Sequence, residues 1–491
     1  MAKERPIDKN GKPAFGMADK LAYAAGDFGC NMSFSLKGTI QTFWLAFMML
    51  ETGLLSALLL LVQIWDAIND PLIGSMIDAD HRKYRMGKFK TYVFIGAVGL
   101  LLAGALCFIP VPNAPIYLKA ILFVGGYIVW DACYTVANVP YGSMLSLVSE
   151  DPGDRAQLST WRSIGSLIGN LLPMVLLPML IWRKEVDADG NPILNEETGV
   201  QVETLLGYRV FFVALLMGTL GFLCFLFMIK KITLRVDENA VRVNEGEGFN
   251  VLAAFGNFMR NRPAIGATLA AMALFLGMNS ASTATTIMFA TYFGQAELSG
   301  IATLIGFLPM LFFMPFIKNI VARWGKKEAA AIGSLASVLG GLLMFIFPLF
   351  EDKLLALAAY IVALCIYGVG MGVYTCVSWA LMADAIDYNE WRTGTREEGT
   401  VYSLHSFFRK LSQGIGPSII LLLMGALGYV SELGTGGQDA DTAANMCWLV
   451  AGLYLFSALL QFVSLAFVYN LDKRTTERMT AELAERNGSA S

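Results

Sequence analysis

The chain has 491 residues, of which 56% are hydrophobic and only 15% are charged, with a formal net charge of -3. Soluble domains carry about 25% charged residues, so this composition indicates a protein that crosses a membrane many times rather than a globular enzyme. No basic stripe interleaved with aromatic residues is present, and we expect no nucleic acid as a partner.

Hydropathy predicts an all-α membrane protein with twelve spans, because about 20 apolar residues are long enough to cross a bilayer as a helix. Six predicted spans lie in the first half of the chain, near residues 20–48, 53–79, 91–111, 115–148, 156–182 and 206–230. Six more lie near residues 263–292, 298–322, 328–350, 354–385, 400–431 and 445–471. Basic residues precede span one and follow each even-numbered span, which predicts a cell (inner or plasma) membrane protein with both termini cytoplasmic.

The two sets of six spans resemble one another. Arg85-Met-Gly-Lys88 follows span two, and Arg323-Trp-Gly-Lys326 follows span eight. A repeat of two six-helix halves predicts the major facilitator fold, with a central site between the halves. The predicted divisions are an N-terminal half, a cytoplasmic middle loop, a C-terminal half and a cytoplasmic tail, at residues 1–230, 231–262, 263–471 and 472–491. The polar segment 184–204 is predicted to be an extracellular loop or hairpin.

The motif Trp65-Asp-Ala-Ile-Asn-Asp-Pro71 lies inside span two and carries two carboxylates, Asp66 and Asp70. A carboxylate near the middle of a span costs at least about 2.5 kcal/mol on insertion scales. The i, i+4 spacing puts both on one helix face, about 6 Å apart at Cβ, where both stay ionised only beside a counter-charge. We therefore predict an exchangeable Na⁺ or H⁺ at this pair. The alternative is permanent neutralisation by a Lys or Arg elsewhere in the protein.

Other ionisable residues lie inside predicted spans, where such side chains usually face the bundle interior and mark a pathway. They are Asp27, Lys37, Asp131, Arg162, His405, Arg409 and Lys410. Each also has a plainer interpretation as a structural ion pair or a packing residue. No phosphate-binding loop, zinc-protease helix or nucleophile–base pair is recognisable, so we expect neither an enzyme nor a cofactor beyond the coupling ion.

A dense charged cluster marks the cytoplasmic end of span ten, and a counterpart follows span four. The predicted gate residues in these clusters are Arg155, Asp384, Asp387, Glu390 and Arg396. We interpret them as salt bridges between the halves that hold one face closed in one state. The alternative is a solvated loop with ordinary surface pairs, which contribute little.

Four stretches of the chain resemble the glycoside–pentoside–hexuronide:cation symporters of the major facilitator superfamily: 65–71, 87–90, 383–388 and 402–410. The resemblance covers both halves and implies symport of a sugar with a monovalent cation. It implies that the cation ligands are Asp66, Asn69, Asp70 and Thr135. The sugar-binding Asp, Arg and Lys of that family match Asp27, Arg162 and Lys410.

The match is incomplete around the sugar. Asn138 stands where the family has an Asp, Gly142 where it has a Trp, and Gly26 where it has a Lys. A Trp on helix ten is replaced by Thr375, although Trp379 lies one turn away. The further candidate sugar contacts are Tyr134, Asn138, Tyr141, Trp379 and His405. The resemblance therefore implies the cation part of the mechanism more closely than any galactoside specificity.

The implied partners are a sugar substrate, a monovalent cation and the lipid bilayer, and we expect a monomer. A carrier of lysolipids or other amphiphiles on the same fold is the alternative function, since distant relatives of the family resemble such carriers. Uptake of labelled sugars compared with labelled lysolipids in one vesicle preparation distinguishes the two.

Overall fold

A computed structural model describes residues 13–80, 82–149, 151–236, 251–277, 281–394 and 398–488. The α-helices up to the middle of the chain are α1 Met17–Phe34, α2 Leu36–Thr42, α3 Thr52–Ala79, α4 Lys88–Leu106, α5 Ile116–Val148, α6 Pro152–Ile181, α7 Gly207–Lys231 and α8 Val251–Arg260. Those of the second part are α9 Arg262–Phe275, α10 Ala281–Met288, α11 Ser299–Phe313, α12 Ile317–Trp324, α13 Lys326–Leu343, α14 Lys353–Thr393, α15 Glu398–Ala426, α16 Ala440–Val463 and α17 Lys473–Gly488. The two described strands are β1 Trp182–Lys184 and β2 Glu203–Leu205.

Nine helical stretches of the described residues are long and apolar enough to cross a membrane. The other three predicted spans depart from a simple apolar helix. Span one comprises α1, α2 and a π-helical turn at Phe43–Phe47, and span seven comprises α9, α10 and a π-helical turn at Phe289–Phe293. Span eleven is α15, which carries two adjacent basic residues, Arg409 and Lys410. Each predicted span thus corresponds to helical segments of the structure.

The predicted sequence repeat recurs in the backbone. Gly87 precedes α4 with φ 87° and ψ 157°, and Gly325 precedes α13 with φ 103° and ψ 162°. Positive φ favours glycine, which has no Cβ to clash with the backbone. The chain therefore reverses in the same way at the corresponding place of each six-span set.

The described residues form two compact units. The first comprises those of 1–183 and 204–245, and the second those of 184–203 and 246–491. Segment 184–203, which chain order assigns to the first half, thus belongs to the second unit. The physical reason lies in its polar contacts, since Asn195 Nδ2 donates to the carbonyl oxygens of Gly436 at 2.7 Å and Gln438 at 2.9 Å.

That segment is a β-hairpin. β1 pairs with β2, and isolated bridges join Val186 to Pro192 and Leu194 to Gln201. The predicted middle loop contains α8, and its residues 237–250 lie outside the described part of the chain. The predicted tail contains α17.

Small residues bring α1 and α6 close together inside the first unit. A Cβ added at Gly169 would lie 3.0 Å from the Phe28 carbonyl oxygen, and one at Gly165 would overlap the carbonyl oxygen of Ala24. Membrane helices pack closely through such residues because no side chain holds the backbones apart. This contact sets Asp27 of α1 beside Arg162 of α6.

Candidate functional site

Polar side chains of α3 and α5 form a hydrogen-bonded chain inside the first unit. Asn69 Nδ2 donates to Asp131 Oδ2 at 3.0 Å and to Thr135 Oγ1 at 2.9 Å. Thr135 Oγ1 in turn donates to Asp70 Oδ1 at 2.7 Å. The structure brings together three of the predicted cation ligands, Asn69, Asp70 and Thr135. It adds Asp131, a residue that the sequence marked as ionisable in a span but did not assign to the cation.

The side-chain carbonyl oxygen of Asn69 stands apart from this chain of bonds. Both amide hydrogens of Asn69 are used, and Asn69 is 0% exposed. Its Oδ1 atom is buried and has no hydrogen-bond partner among the described residues. Leaving such a buried acceptor unsatisfied costs about 1–3 kcal/mol. A dehydrated amide oxygen beside carboxylates is a suitable ligand for a hard cation, which prefers oxygen.

The fourth predicted ligand, Asp66, lies near a lysine. Lys37 Nζ is 3.8 Å from Asp66 Oδ2, and each side chain is 14% exposed. A basic partner was the alternative to an exchangeable cation, and the structure supplies one for Asp66. Among the described residues no three His, Cys, Asp or Glu side chains form a metal-binding group. A cation at Asp66 and Asp70 would therefore take its other ligands from amide and hydroxyl oxygens.

Asp27, the predicted sugar acceptor, is paired with Arg162. Arg162 Nε donates to Asp27 Oδ1 at 2.9 Å, and Asn31 Nδ2 donates to Asp27 Oδ2 at 3.0 Å. The Asp27 side chain is 6% exposed, whereas that of Arg162 is 38% exposed. The group that presents hydrogen-bond donors to the surroundings is thus the guanidinium, and the carboxylate orients it.

The predicted aromatic sugar contacts of this unit are packed against other rings. Tyr141 is fully buried, and its ring stacks on Tyr23 with centroids 4.7 Å apart. Tyr134 is half-buried and stacks on Trp130 with centroids 6.0 Å apart. Asn138 is half-buried on the same helix, α5. A role of these side chains in sugar binding stays a prediction.

Tyr141 also accounts for one departure from the family pattern. A Cβ added at Gly26 would lie 2.5 Å from Tyr141 Cε2. The Lys that the family has at this position therefore has no room beside Tyr141. At Gly142, where the family has a Trp, an added Cβ would meet no atom within 4 Å. The space of the missing Trp is therefore open around Gly142.

In the second unit, α9, α14 and α15 bring a polar and aromatic group together. Thr268 Oγ1 lies 2.9 Å from His405 Nδ1, and the His405 ring centroid is 6.1 Å from that of Trp379. Arg409 places its guanidinium carbon 5.3 Å from the Trp379 ring centroid, and Trp379 is 50% exposed. The predicted site residue Lys410 is the next residue of α15 after Arg409, and it is half-buried. Sequence reasoning left Arg409 and Thr268 out of the site, although the four-residue spacing of His405 and Arg409 predicts a shared helix face.

Two of the predicted gate residues, Asp384 and Arg155, have contacts within their own unit. Lys326 Nζ lies 2.6 Å from Asp384 Oδ1, and both residues belong to the second unit. Arg155 Nε donates to the carbonyl oxygen of Ser149 at 2.8 Å. Arg396 lies outside the described residues. The remaining predicted gate residues, Asp387 and Glu390, lie on α14. A gate between the halves stays a prediction.

Two repeated sets of six helical segments, with ionisable side chains inside the spans, are typical of a multi-pass membrane transporter. The chain belongs to the family described as MFS/sugar transport protein, which matches residues 22–473. This membership confirms the predicted major facilitator fold and the class of sugar transporter, and it excludes the class of enzymes. It also agrees with the family that the sequence resembles.

Two relatives and one solved structure are similar over nearly the whole chain. A glucuronide carrier protein homolog from Escherichia coli (strain K12) is 28% identical over 459 residues, which cover 93% of each chain. An isoprimeverose transporter from Lactiplantibacillus pentosus is 26% identical over 490 residues, 98% of this chain and 93% of the relative. The structure of a D-xylose-proton symporter matches with a TM-score of 0.59 at 16% identity, covering 90% of this chain and 96% of that one. At that identity the structural likeness shows the fold alone.

Proposed function

We propose that the protein is a symporter that couples transport of a glycoside, pentoside or hexuronide to Na⁺ or H⁺ by alternating access. One observation carries the proposal: the bonded series Asp131, Asn69, Thr135 and Asp70 leaves the buried Asn69 Oδ1 without a hydrogen-bond partner among the described residues. The relatives that are named as a glucuronide carrier homolog and an isoprimeverose transporter support a sugar or sugar acid as substrate. The proposed place is the inner or plasma membrane, with both termini cytoplasmic.

The cation would act on helices α3 and α5. Asp70 and Asn69 lie on α3, and Thr135, which bonds to both, lies on α5. A cation held by Asp70 and by Asn69 Oδ1 would satisfy the unpartnered oxygen and offset the carboxylate charge. It would thereby favour the arrangement of the two helices that brings these oxygens together, since a ligand stabilises the state it binds best.

Helix α5 also links the cation ligands to the candidate sugar contacts. It carries Thr135 and, less than two turns later, Tyr141. The guanidinium carbon of Arg162 lies 5.3 Å from the Tyr141 ring centroid. A shift of α5 on cation binding would therefore move the support of Arg162. Such coupling is reciprocal, so sugar would tighten cation binding by the same factor.

Arg162 would donate hydrogen bonds to sugar hydroxyls or to the carboxylate of a hexuronide. A guanidinium suits the second task because its planar fork matches a carboxylate with two parallel hydrogen bonds. Asp27 would hold the fork in place through its bond to Arg162 Nε. In the second unit, the half-exposed Trp379 ring would offer a face to the sugar.

The test is transport by the full-length protein in proteoliposomes. Labelled methyl glucuronide, isoprimeverose, a galactoside and lysophosphatidylcholine are each supplied with a Na⁺ gradient, a pH gradient or neither. We expect uptake of at least one sugar to depend on one of the gradients, and Asp70→Asn to abolish that dependence. Asp189→Asn, at an exposed aspartate of the hairpin, serves as the control. Sugar uptake indifferent to both gradients, or transport of the lysolipid alone, would contradict the proposal.

A further inference from the structure

One lysine lies beside the candidate cation site. Its ammonium is close enough to a carboxylate for electrostatic attraction but too far for a normal hydrogen bond. Lys37 of α2 places Nζ 3.8 Å from Asp66 Oδ2. We propose that Lys37 is a tethered counter-cation, which neutralises Asp66 while no inorganic cation is bound and withdraws when Na⁺ binds. This inference rests on the proposed cation site and adds the residue that sets its affinity.

The distance separates this contact from a fixed ion pair. Hydrogen-bonded ammonium–carboxylate pairs have N–O distances of about 2.7–2.9 Å. The Lys326–Asp384 pair of the second unit has such a geometry, with Nζ 2.6 Å and 2.9 Å from the two carboxylate oxygens. Lys37 gives Asp66 a compensating charge without a hydrogen bond of that kind. A purely electrostatic contact needs no particular geometry, so an incoming cation can replace it.

The Lys37 ammonium has other groups to interact with after it withdraws from Asp66. Its Nζ lies 5.7 Å from the ring centroid of Phe34 and 5.9 Å from that of Tyr127. Ring faces attract an ammonium within about 6 Å. Gln63 Nε2 donates to the Tyr127 hydroxyl at 3.0 Å, which holds that ring in position. The flexible four-carbon stem of a lysine reaches such neighbours by bond rotation alone.

The charges around Lys37 favour exchange over permanent neutralisation. Asp66 and Asp131 are both electrostatic partners of Lys37. Asp70 lies one turn from Asp66 on α3, and one ammonium cannot neutralise both of these carboxylates, so the cluster can accept a further positive charge. Na⁺ must compete with Lys37 for Asp66, and a site that is partly occupied by its own side chain shows an affinity reduced by that occupancy. Removing the ammonium is therefore expected to tighten Na⁺ binding.

The test measures the Na⁺ affinity of the full-length protein in lipid nanodiscs by calorimetry, with NaCl replacing choline chloride at constant ionic strength. Lys37→Met is expected to lower the dissociation constant for Na⁺ at least about tenfold, which corresponds to 1.4 kcal/mol. Lys37→Arg keeps the charge and is not expected to tighten binding. Lys119→Met is the matched control, since Lys119 is a buried lysine of the same unit whose Nζ donates to the Met48 carbonyl oxygen at 2.6 Å.

A second variant allows the charge of the side chain at position 37 to be changed while the polypeptide stays the same. Lys37→Cys is treated with 2-aminoethyl methanethiosulfonate, which restores a cationic side chain, or with methyl methanethiosulfonate, which leaves a neutral one. The cationic adduct is expected to bind Na⁺ about tenfold more weakly than the neutral adduct. The natural protein, which has seven cysteines, is treated in parallel to subtract their contribution.

Each outcome of the Na⁺-binding measurements either supports or contradicts the proposed role of Lys37. Tighter binding in Lys37→Met supports the proposal, and so does Na⁺ binding that exists only in that variant. If the natural protein binds Na⁺ and Lys37→Met binds it equally or more weakly, Lys37 is no competitor, while the proposed symport stands. If neither protein binds Na⁺, the inference is wrong, and the pH-gradient arm of the transport assay then judges the proposed function independently.

Discussion

Arg162 Nε donates to Asp27 Oδ1 at 2.9 Å, and the two side chains differ sixfold in exposure, at 38% and 6%. The carboxylate is also bound by Asn31 Nδ2, whose own Oδ1 accepts from Asn170 Nδ2 at 2.7 Å. Asp27 is thus held on both oxygens and holds the guanidinium in turn. The buried carboxylate of Asp27 therefore positions the more exposed guanidinium of Arg162.

Asp27→Ala is expected to weaken sugar binding at least about 100-fold, because it leaves the guanidinium without the acid that orients it. Arg162→Lys is expected to be nearly as harmful, because an ammonium does not reproduce a planar fork. The measurement is calorimetric titration with the transported sugar in nanodiscs. Binding of the cation at the separate α3–α5 cluster is expected to remain measurable in both variants. A sugar affinity that survives Asp27→Ala would place the sugar elsewhere.

The bond between Thr135 and Asp70 gives a prediction for the cation. Thr135→Val keeps the shape of the side chain but removes the hydroxyl that joins Asn69 to Asp70. Loss of a group that orients a ligand usually costs about 10–100-fold in ion affinity, and we expect a decrease in this range. Thr135→Ser, which keeps the hydroxyl, is expected to stay near the natural affinity. Equal affinity in the Val and Ser variants would remove Thr135 from the site.

The arrangement of spans was predictable because the hydrocarbon core of a bilayer restricts the conformations that a backbone can adopt. Unpaired amide groups are too costly in the hydrocarbon core, so a long apolar run that crosses it becomes a helix. The π-helical turns at Phe43–Phe47 and Phe289–Phe293 were not predictable in this way. Hydropathy reports how apolar a segment is, whereas the hydrogen-bond register inside a helix depends on how neighbouring side chains pack.

Part of the candidate cation site was also predictable from the sequence. The spacing of Asp66 and Asp70 indicated one helix face, and the family resemblance implied Thr135, which the structure places against Asp70. The approach of Lys37 to Asp66 was not predictable, because it joins two helices whose relative rotation no spacing rule reports. The same holds for Asp131, whose bond to Asn69 depends on the register of α5 along α3.

Two glycines of the first unit give a matched stability test. Gly26→Ala puts a Cβ 2.5 Å from Tyr141 Cε2, whereas Gly142→Ala puts one where no atom lies within 4 Å. Overpacking a well-filled interior typically costs about 1–3 kcal/mol. Thermal unfolding of the purified protein is therefore expected at a lower temperature for Gly26→Ala and at an equal or higher one for Gly142→Ala, since Ala favours a helix over Gly. Equal shifts in both variants would mean that Tyr141 moves aside freely.

The hairpin 184–203 contains a buried acid outside the predicted spans. Glu203 is 1% exposed, and its Oε2 accepts from the backbone amide of Ala296 in the same unit. Its Oε1 has no hydrogen-bond partner among the described residues. Burial raises the pKa of Glu203 from 4.5 to about 7, because the ionised form loses its hydration. The hairpin is therefore held more firmly when Glu203 is protonated.

The pH dependence follows from the two pKa values. An undocked Glu203 titrates near 4.5 and the docked one near 7, so the stabilising contribution is complete below pH 4.5 and is lost as the pH rises through 7. The shift corresponds to up to about 3 kcal/mol. Hydrogen exchange of the 184–203 amides, corrected for intrinsic rates, is expected to show greater protection at pH 5 than at pH 8. Glu203→Gln is expected to remove most of this difference, and Glu196→Gln, at an exposed position of the same hairpin, to retain it. Protection that is equal at both pH values in the natural protein would show that the Glu203 carboxyl does not control the hairpin.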